Sequence, residues 1–340
     1  MNLASSYLGL DLRNPLVASA GPMTQTADRI ERLVEAGVGA VVLPSLFEEQ
    51  IRAEADRDER LAEVGIDSFG EATSYLIDPD ASAWPRQYLD LIERAAKSDV
   101  PVIASLNGST RGGWTDYARA MQDAGAAAIE LNIYYLPGDP APAAASPFLP
   151  GRDAEQRYTD ILTAVKSAVS VPVAVKLTPF FSSFGDMALR LEQAGADGLV
   201  LFNRFMQTDI NPETFSVSTG FKLSSPAEAT LPRSWIARLR GQVRSSIAAS
   251  TGVETADDVV AYLLAGADVV MTTSALLRHG AEYATALLDG LTAWMDRKGV
   301  GSVAEIRGLL APGADTPQPG YGRYGYLGAV EQASRAYSPG

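Results

Sequence analysis

One pattern recurs four times along this chain and limits what it can become. Ala36-Gly37-Val38, Ala124-Gly125-Ala126, Ala194-Gly195-Ala196 and Ala265-Gly266-Ala267 each end an amphipathic run and precede a short apolar one. Glycine just past a helix takes the left-handed cap conformation, and small neighbours let helix and strand approach closely. Repetition of helix, cap and buried strand marks a parallel sheet built from βα units. Strands are predicted at Leu16–Ser19, Ala40–Leu43, Val102–Leu106, Ala128–Asn132, Val173–Lys176, Gly198–Phe202, Ser246–Ala249 and Val269–Met271. Eight such strands, each followed by a helical pattern, predict an α/β fold closed into a (β/α)₈ TIM barrel, not an open doubly wound sheet. No GxGxxG follows the first strand, which counts against a dinucleotide-binding fold.

The other segments decorate a single barrel domain of residues 1–310, with 311–340 as a C-terminal surface tail. Residues 6–12 alternate around Gly9 and predict a small N-terminal hairpin. Thr26 or Asp28 caps the first helix, which runs to about Ala36. Three stretches leave the C-terminal face, where barrel enzymes keep lids and specificity loops. Residues 45–85 are charged and irregular, and Glu48 to Glu63 reads as a solvated helix. Tyr135 to Arg152 is a loop rich in proline and alanine, directly after a polar strand end. Residues 204–229 hold an alternating run, Thr214 to Leu223, that reads as a hairpin.

Composition removes whole classes of function. With 41 acidic against 28 basic residues and a net charge of −13, neither nucleic acid nor an anionic membrane is an expected partner. The absence of cysteine excludes disulfides, thiolate nucleophiles and cysteine-ligated metals or clusters. A single histidine, His279, argues against a histidine metal site or a Ser-His-Asp triad. The first residues lack a basic region and an apolar core, and no apolar run is long enough to span a bilayer. The expected location is cytoplasmic.

Chemistry is expected where the strands end. Ala128-Ile129-Glu130-Leu131-Asn132-Ile133-Tyr134-Tyr135 starts as a buried strand and finishes in an amide and two phenols. Ser105-Leu106-Asn107, Val175-Lys176 and Leu201-Phe202-Asn203 finish in the same way. Polar groups delivered by several strand ends to one face of a barrel indicate an enzyme. Lys176 in a barrel mouth is costly unless it meets an anion or reacts. It reads as a fixed cation beside a cofactor, as a Schiff-base nucleophile, or as a lysine snorkelling to solvent. Asn107, Asn132 and Asn203 each donate and accept, which together suits a flat heterocycle and singly suits a turn cap. Tyr134 and Tyr135 divide between core or lid aromatics and a direct catalytic role. Ser250-Thr251-Gly252-Val253 and Thr272-Thr273-Ser274-Ala275 follow the last two strands, where barrels commonly hold a phosphate. Phosphate binding is favoured over simple helix capping because both loops carry the pattern.

At these residues the chain resembles the dihydroorotate dehydrogenases of class 1, over about Asn14 to Gly308. The resemblance rests on Asn14-Pro15-Leu16-Val17-Ala18-Ser19-Ala20-Gly21, Glu130-Leu131-Asn132, Val175-Lys176-Leu177, Asn203, Ser250 to Thr255 and Thr273 to Leu276. Leu131 to Pro137 and Leu201 to Phe205 look like the subgroup called dihydroorotate dehydrogenase-like proteins. This implies FMN across the barrel mouth, its phosphate at Thr251, Gly252, Thr273 and Ser274, and Lys176 near the N1/O2 edge of the ring. Ala20 and Gly21 would lie against the ring, with Asn107, Asn132 and Asn203 facing flavin or substrate. It also implies a small-molecule substrate and a homodimer. The family's catalytic cysteine falls at Tyr134-Tyr135, its second lysine falls near Pro44, and its asparagine-rich substrate loop is replaced by Leu136-Pro137-Gly138. The flavin half of the site looks kept and the dihydroorotate half rebuilt, which speaks against orotate formation and a place in pyrimidine biosynthesis.

A phenol of ordinary pKa near 10 must give up about 4 kcal/mol to ionise at pH 7, so tyrosine serves better as acid than as base. The expected reaction is reduction of an activated alkene, with Tyr135 or Tyr134 giving the proton. Two rival readings stand beside it: a flavin-carrying barrel that passes electrons to a redox protein partner, or a barrel without catalysis, and an aldolase built on Lys176.

Overall fold

The four alanine–glycine steps cap helices as the sequence predicts, with φ of 102° at Gly37, 101° at Gly125, 98° at Gly195 and 118° at Gly266. An ordinary residue in that left-handed region costs about 1–2 kcal/mol, which explains the glycine. A computed structural model describes residues 1–52, 84–108, 114–134, 149–204, 208–220, 222–312 and 319–337. The chain opens with a hairpin, β1 (Ser5–Tyr7) and β2 (Leu10–Leu12). Eight further strands close the barrel: β3 (Leu16–Ala18), β4 (Ala40–Phe47), β5 (Val102–Gly108), β6 (Ala128–Ile133), β7 (Val173–Leu177), β8 (Gly198–Leu201), β11 (Ser246–Ala249) and β12 (Val269–Thr272). All eight neighbouring pairs are parallel, including the closing pair of β8 with β11.

Most strand boundaries fall where the sequence places them. The exception is β4, which runs to Phe47 instead of stopping at Leu43. Its register with β5 shifts between Val42 and Ser45, around Pro44. Proline has no N–H for the ladder, so the strand survives it only through an irregularity. The shift brings the Ser45 hydroxyl 2.8 Å from that of Ser105.

Side chains alternate between two cores. Outward residues such as Leu16, Leu43, Leu131 and Leu177 pack against the helices. Inward residues such as Val17, Val42, Ile103, Val200 and Met271 pack with Tyr7, Leu8 and Leu12 of the N-terminal hairpin. Each fully buried aliphatic side chain contributes roughly 1.5–3 kcal/mol. The hairpin is held to the barrel by Ser5 Oγ donating to the Asp268 carbonyl (2.6 Å) and Leu8 N donating to Ser246 Oγ (3.0 Å). Space for it depends on Gly198, where a Cβ would come within 2.5 Å of Leu8 Cδ2. With one end of the barrel plugged, a ligand cavity can open only at the other.

The second hairpin sits earlier than the alternating run suggests. Its strands are β9 (Thr208–Asn211) and β10 (Ser216–Thr219), and Gly220 lies past the second strand. The reversal is made at Asn211, whose Oδ1 accepts from the N–H groups of Glu213 and Thr214 at 3.0 and 3.2 Å. Side-chain capping of this kind substitutes for glycine in a turn. The expected solvated helix of Glu48 to Glu63 lies largely outside the described residues. Glu48, at its start, is buried and paired with Arg52 at 2.5 Å, not solvated. Past Leu310 a short turn at Pro319–Tyr321 leads into a helix, Arg323–Tyr337, which is exposed from Tyr326 onward. Among the described residues no helix is long and apolar enough to cross a membrane.

Candidate functional site

Period-two alternation decides which side chains reach the barrel interior. Ala128 faces inward, and so do Glu130 and Asn132 two and four residues on; Ala174 faces inward, and so does Lys176. Ile103, Ser105 and Asn107 follow the same rule on β5. The register places Asn107 beside Asn132, and Asn132 beside Lys176. Their side chains line the floor of a cavity of about 880 Å³ at the C-terminal mouth. That volume lies within the range of small-ligand and cofactor sites.

Lys176 does not snorkel. It is 8% exposed, and its Nζ donates to Glu130 Oε1 at 3.3 Å. Glu130 is 1% exposed, and its Oε2 has no hydrogen-bond partner among the described residues. The Tyr7 hydroxyl, from the plugging hairpin, is buried without a partner as well. Burial, followed by the negative charges of Glu130 and Asp268, holds that phenol well above its ordinary pKa. A carboxylate this deep is tolerable only because an ammonium answers it.

Above this pair the amides form a second tier. Asn203 Nδ2 donates to Asn132 Oδ1 at 2.8 Å, joining the ends of β6 and β8. Tyr134 lines the cavity, half-buried, with its N–H donating to the Asn132 carbonyl at 2.9 Å. Tyr135 lies outside the described residues.

The opposite end of the cavity is built from the loops after β11 and β12. Thr251 and Gly252 have φ of 81° and 72°, and the Thr251 hydroxyl donates to the Phe202 carbonyl at 3.0 Å. A Cβ on Gly252 would lie 2.8 Å from the backbone of Ala229 and Ser225, so the loop is packed against its neighbour. Gly252 N donates to Ser224 Oγ at 3.2 Å, and Ser224 Oγ donates to Ser274 Oγ at 3.0 Å. Arg278 Nη2 fixes the same serine by donating to its carbonyl at 2.7 Å. Just past β12, Thr273 Oγ1 donates to the Ser19 carbonyl at 2.9 Å, with Ala20 and Gly21 lining the cavity alongside. The close seating of Gly21 is required, because a Cβ there would lie 2.6 Å from Thr273 Cγ2. One cavity therefore gathers every sequence-derived candidate within the described residues: Ala20, Gly21, Asn107, Asn132, Tyr134, Lys176, Asn203, Thr251, Gly252, Thr273 and Ser274.

Three participants escaped the sequence reading. Glu130 stands inside an apolar run, although its spacing of two from Asn132 places both on one face. Ser224 arrives from a loop past the second hairpin, and nothing in its local sequence marks it. The Ser45–Ser105 contact depends on the bulge at Pro44, which alternation alone does not reveal.

A model of the dihydroorotate dehydrogenase family matches residues 2–295. The chain belongs to the dihydroorotate dehydrogenase family. It is 31% identical over 315 residues to the catalytic subunit of dihydroorotate dehydrogenase B (NAD(+)) from Methanothermobacter thermautotrophicus, covering 90% of this chain and 98% of that one. The corresponding subunit from Methanocella arvoryzae is also 31% identical, over 91% of this chain and 98% of its own. Subunit PreA of the NAD-dependent dihydropyrimidine dehydrogenase of Escherichia coli is 24% identical, over 91% of this chain and 76% of its own. The family match ends before the exposed C-terminal helix.

Proposed function

We propose that this member of the dihydroorotate dehydrogenase family is an FMN-dependent oxidoreductase acting on a C=C or CH–CH bond of a small substrate other than dihydroorotate. The observation that carries the reading is Lys176, a buried ammonium on the floor of a cavity whose far end is a tightly packed, left-handed glycine loop. The donors fit the cofactor. Gly252 N–H, the Ser224 and Ser274 hydroxyls and the backbone around Thr251 and Thr273 would take its phosphate. Ala20 and Gly21, lacking bulk, would lie against the ring, and Asn107, Asn132 and Asn203 would meet polar edges of ring or substrate. Lys176 would oppose negative charge at the N1/O2 edge. When bound, the flavin supplies hydride transfer at N5.

The chain's own residues then have separate tasks. The amides orient the unsaturated bond, the plugged barrel keeps water from entering below, and Tyr134 or Tyr135 gives the proton. Tyrosine is suited to that task because an ordinary phenol keeps its proton at pH 7. The chain has no cysteine, so the base that the class 1 resemblance calls for is missing, and reduction of an alkene is the favoured direction. The names of the relatives, as catalytic subunit or subunit of NAD-linked enzymes, favour a redox protein partner as electron donor.

Purified protein should be yellow, absorbing near about 450 nm as bound flavins do. A colourless chain that FMN cannot reconstitute would refute the proposal. Reduction by a small donor, compared with reduction only by a partner protein, separates a self-sufficient enzyme from a subunit of an electron-transfer complex.

A further inference from the structure

We propose that Glu130 is the positioning residue for Lys176. It keeps that ammonium charged on the cavity floor and thereby fixes how many protons accompany reduction of the bound cofactor. The inference rests on the flavin reading above and goes beyond it, because that reading assigns no task to Glu130.

The geometry is specific. Glu130 Oε1 accepts from Lys176 Nζ at 3.3 Å, while Oε2 has no partner among the described residues. The titratable groups around the pair are few. Tyr7 rises from the plugging hairpin beneath it, Tyr88 packs behind β5 and donates to the Ser105 carbonyl at 3.3 Å, and Asp268 stands at the foot of β12. Both phenols are held above their ordinary pKa by burial, so neither supplies a proton near neutrality. Asp268 is committed to Arg240 and Arg307 at 3.1 and 3.0 Å. Tyr134, Arg204 and Lys222 line the same cavity, Arg204 paired with Glu228 at 3.2 Å, and the hydroxyls of Ser45 and Ser105 and the amides of Asn107, Asn132 and Asn203 do not titrate. Among the described residues Glu130 is thus the only anion paired with Lys176.

The proton balance follows. With the lysine already charged, two electrons and one proton enter the flavin, and the ammonium offsets the negative charge left on the ring. With the carboxylate removed, an unanswered ammonium in this site is costly and gives up its proton. Reduction of that variant then takes two electrons and two protons, one to the flavin and one to Lys176.

The test is a dithionite titration of the FMN-loaded protein, following midpoint potential between pH 7 and 9. One proton per two electrons gives a slope of about 30 mV per pH unit, a tenfold change of equilibrium constant for a two-electron couple. Glu130→Gln should double that slope. In a Lys176→Arg background the same substitution should leave the slope unchanged, because a guanidinium keeps its proton without a counter-ion. An unchanged slope in Glu130→Gln overturns the inference while the flavin reading stands; a chain that takes up no FMN overturns both. Should Glu130→Gln fail to fold, reduced-minus-oxidised infrared spectra of the unmodified protein decide. An ionised carboxylate in both states, assigned by its shift in Glu130→Asp, supports the inference. A carboxylic acid band that appears on reduction overturns it.

Discussion

Replacing Lys176 by Met should destabilise the fold by about 4 kcal/mol at pH 7 and by far less at pH 5. The substitution keeps most of the side-chain volume, since methionine fills irregular space well. What it removes is the ammonium 3.3 Å from a carboxylate that is 1% exposed. Breaking a buried pair from one side costs about 3–5 kcal/mol, because the remaining charge is stranded. A second route sets a ceiling, since the stranded acid can always take a proton. For a glutamate of ordinary pKa near 4.3, neutralisation at pH 7 spans about 2.7 pKa units, or about 3.7 kcal/mol. At pH 5 the same step costs about 1 kcal/mol.

The sign follows from linkage. In the variant the acid binds its proton more tightly folded than unfolded, so stability is complete below the unfolded pKa and lost as pH rises. Unfolding entropy of about 2.1 cal/mol/K per residue over the roughly 280 described residues converts these penalties to about 6 °C at pH 7 and 1–2 °C at pH 5. Calorimetry of the flavin-free chain reads both, without a ligand contribution. Lys176→Met combined with Glu130→Gln should recover most of the loss, leaving no charge to strand. A melting-temperature drop that is the same at both pH values, or a double variant as unstable as the single, would refute the reasoning.

Gly252→Ala should weaken FMN binding at least about tenfold, since a left-handed φ of 72° and backbone atoms 2.8 Å from the new Cβ force the phosphate loop to move. Quenching of flavin fluorescence measures it, and an unchanged dissociation constant removes Gly252 from the phosphate site. Tyr135→Phe or Tyr134→Phe should slow reoxidation of the reduced protein by an activated alkene by about a hundredfold or more while FMN stays bound. Stopped-flow rates equal to the parent's in both variants would take the phenols out of the mechanism. Burial raises the Asp258 carboxyl, but hydrogen bonds from Thr255, Arg233 and Glu254 outweigh it and hold its pKa below the ordinary value. Its contribution is therefore present above the unfolded pKa and lost as pH falls through the folded one. Asp258→Asn should lower the melting temperature at pH 6 and flatten its decline toward pH 3, and an equal offset at both ends contradicts that assignment.

What the chain discloses in sequence follows from the range of each interaction. The Ala-Gly caps act within one helix turn, so a local reading finds them and the barrel with them. Strand-end amides and Lys176 were visible because a polar residue at the end of an apolar run has no local reason to be there. Glu130 was hidden for the opposite reason: it lies within such a run, and its partner is 46 positions away on the next strand. Only the register of Asn132 with Lys176, fixed by barrel closure, brings the carboxylate of one strand under the ammonium of the other. Ser224 is harder still, since its role depends on a loop folding back to Gly252 and Ser274 across 28 and 50 positions. The hairpin shift shows the same limit at short range. Alternation located β character, but the turn is set by the side chain of Asn211, which a count of apolar positions does not weigh. Function in this chain is therefore divided: each side chain is chosen locally, while the charge it meets is chosen by the barrel.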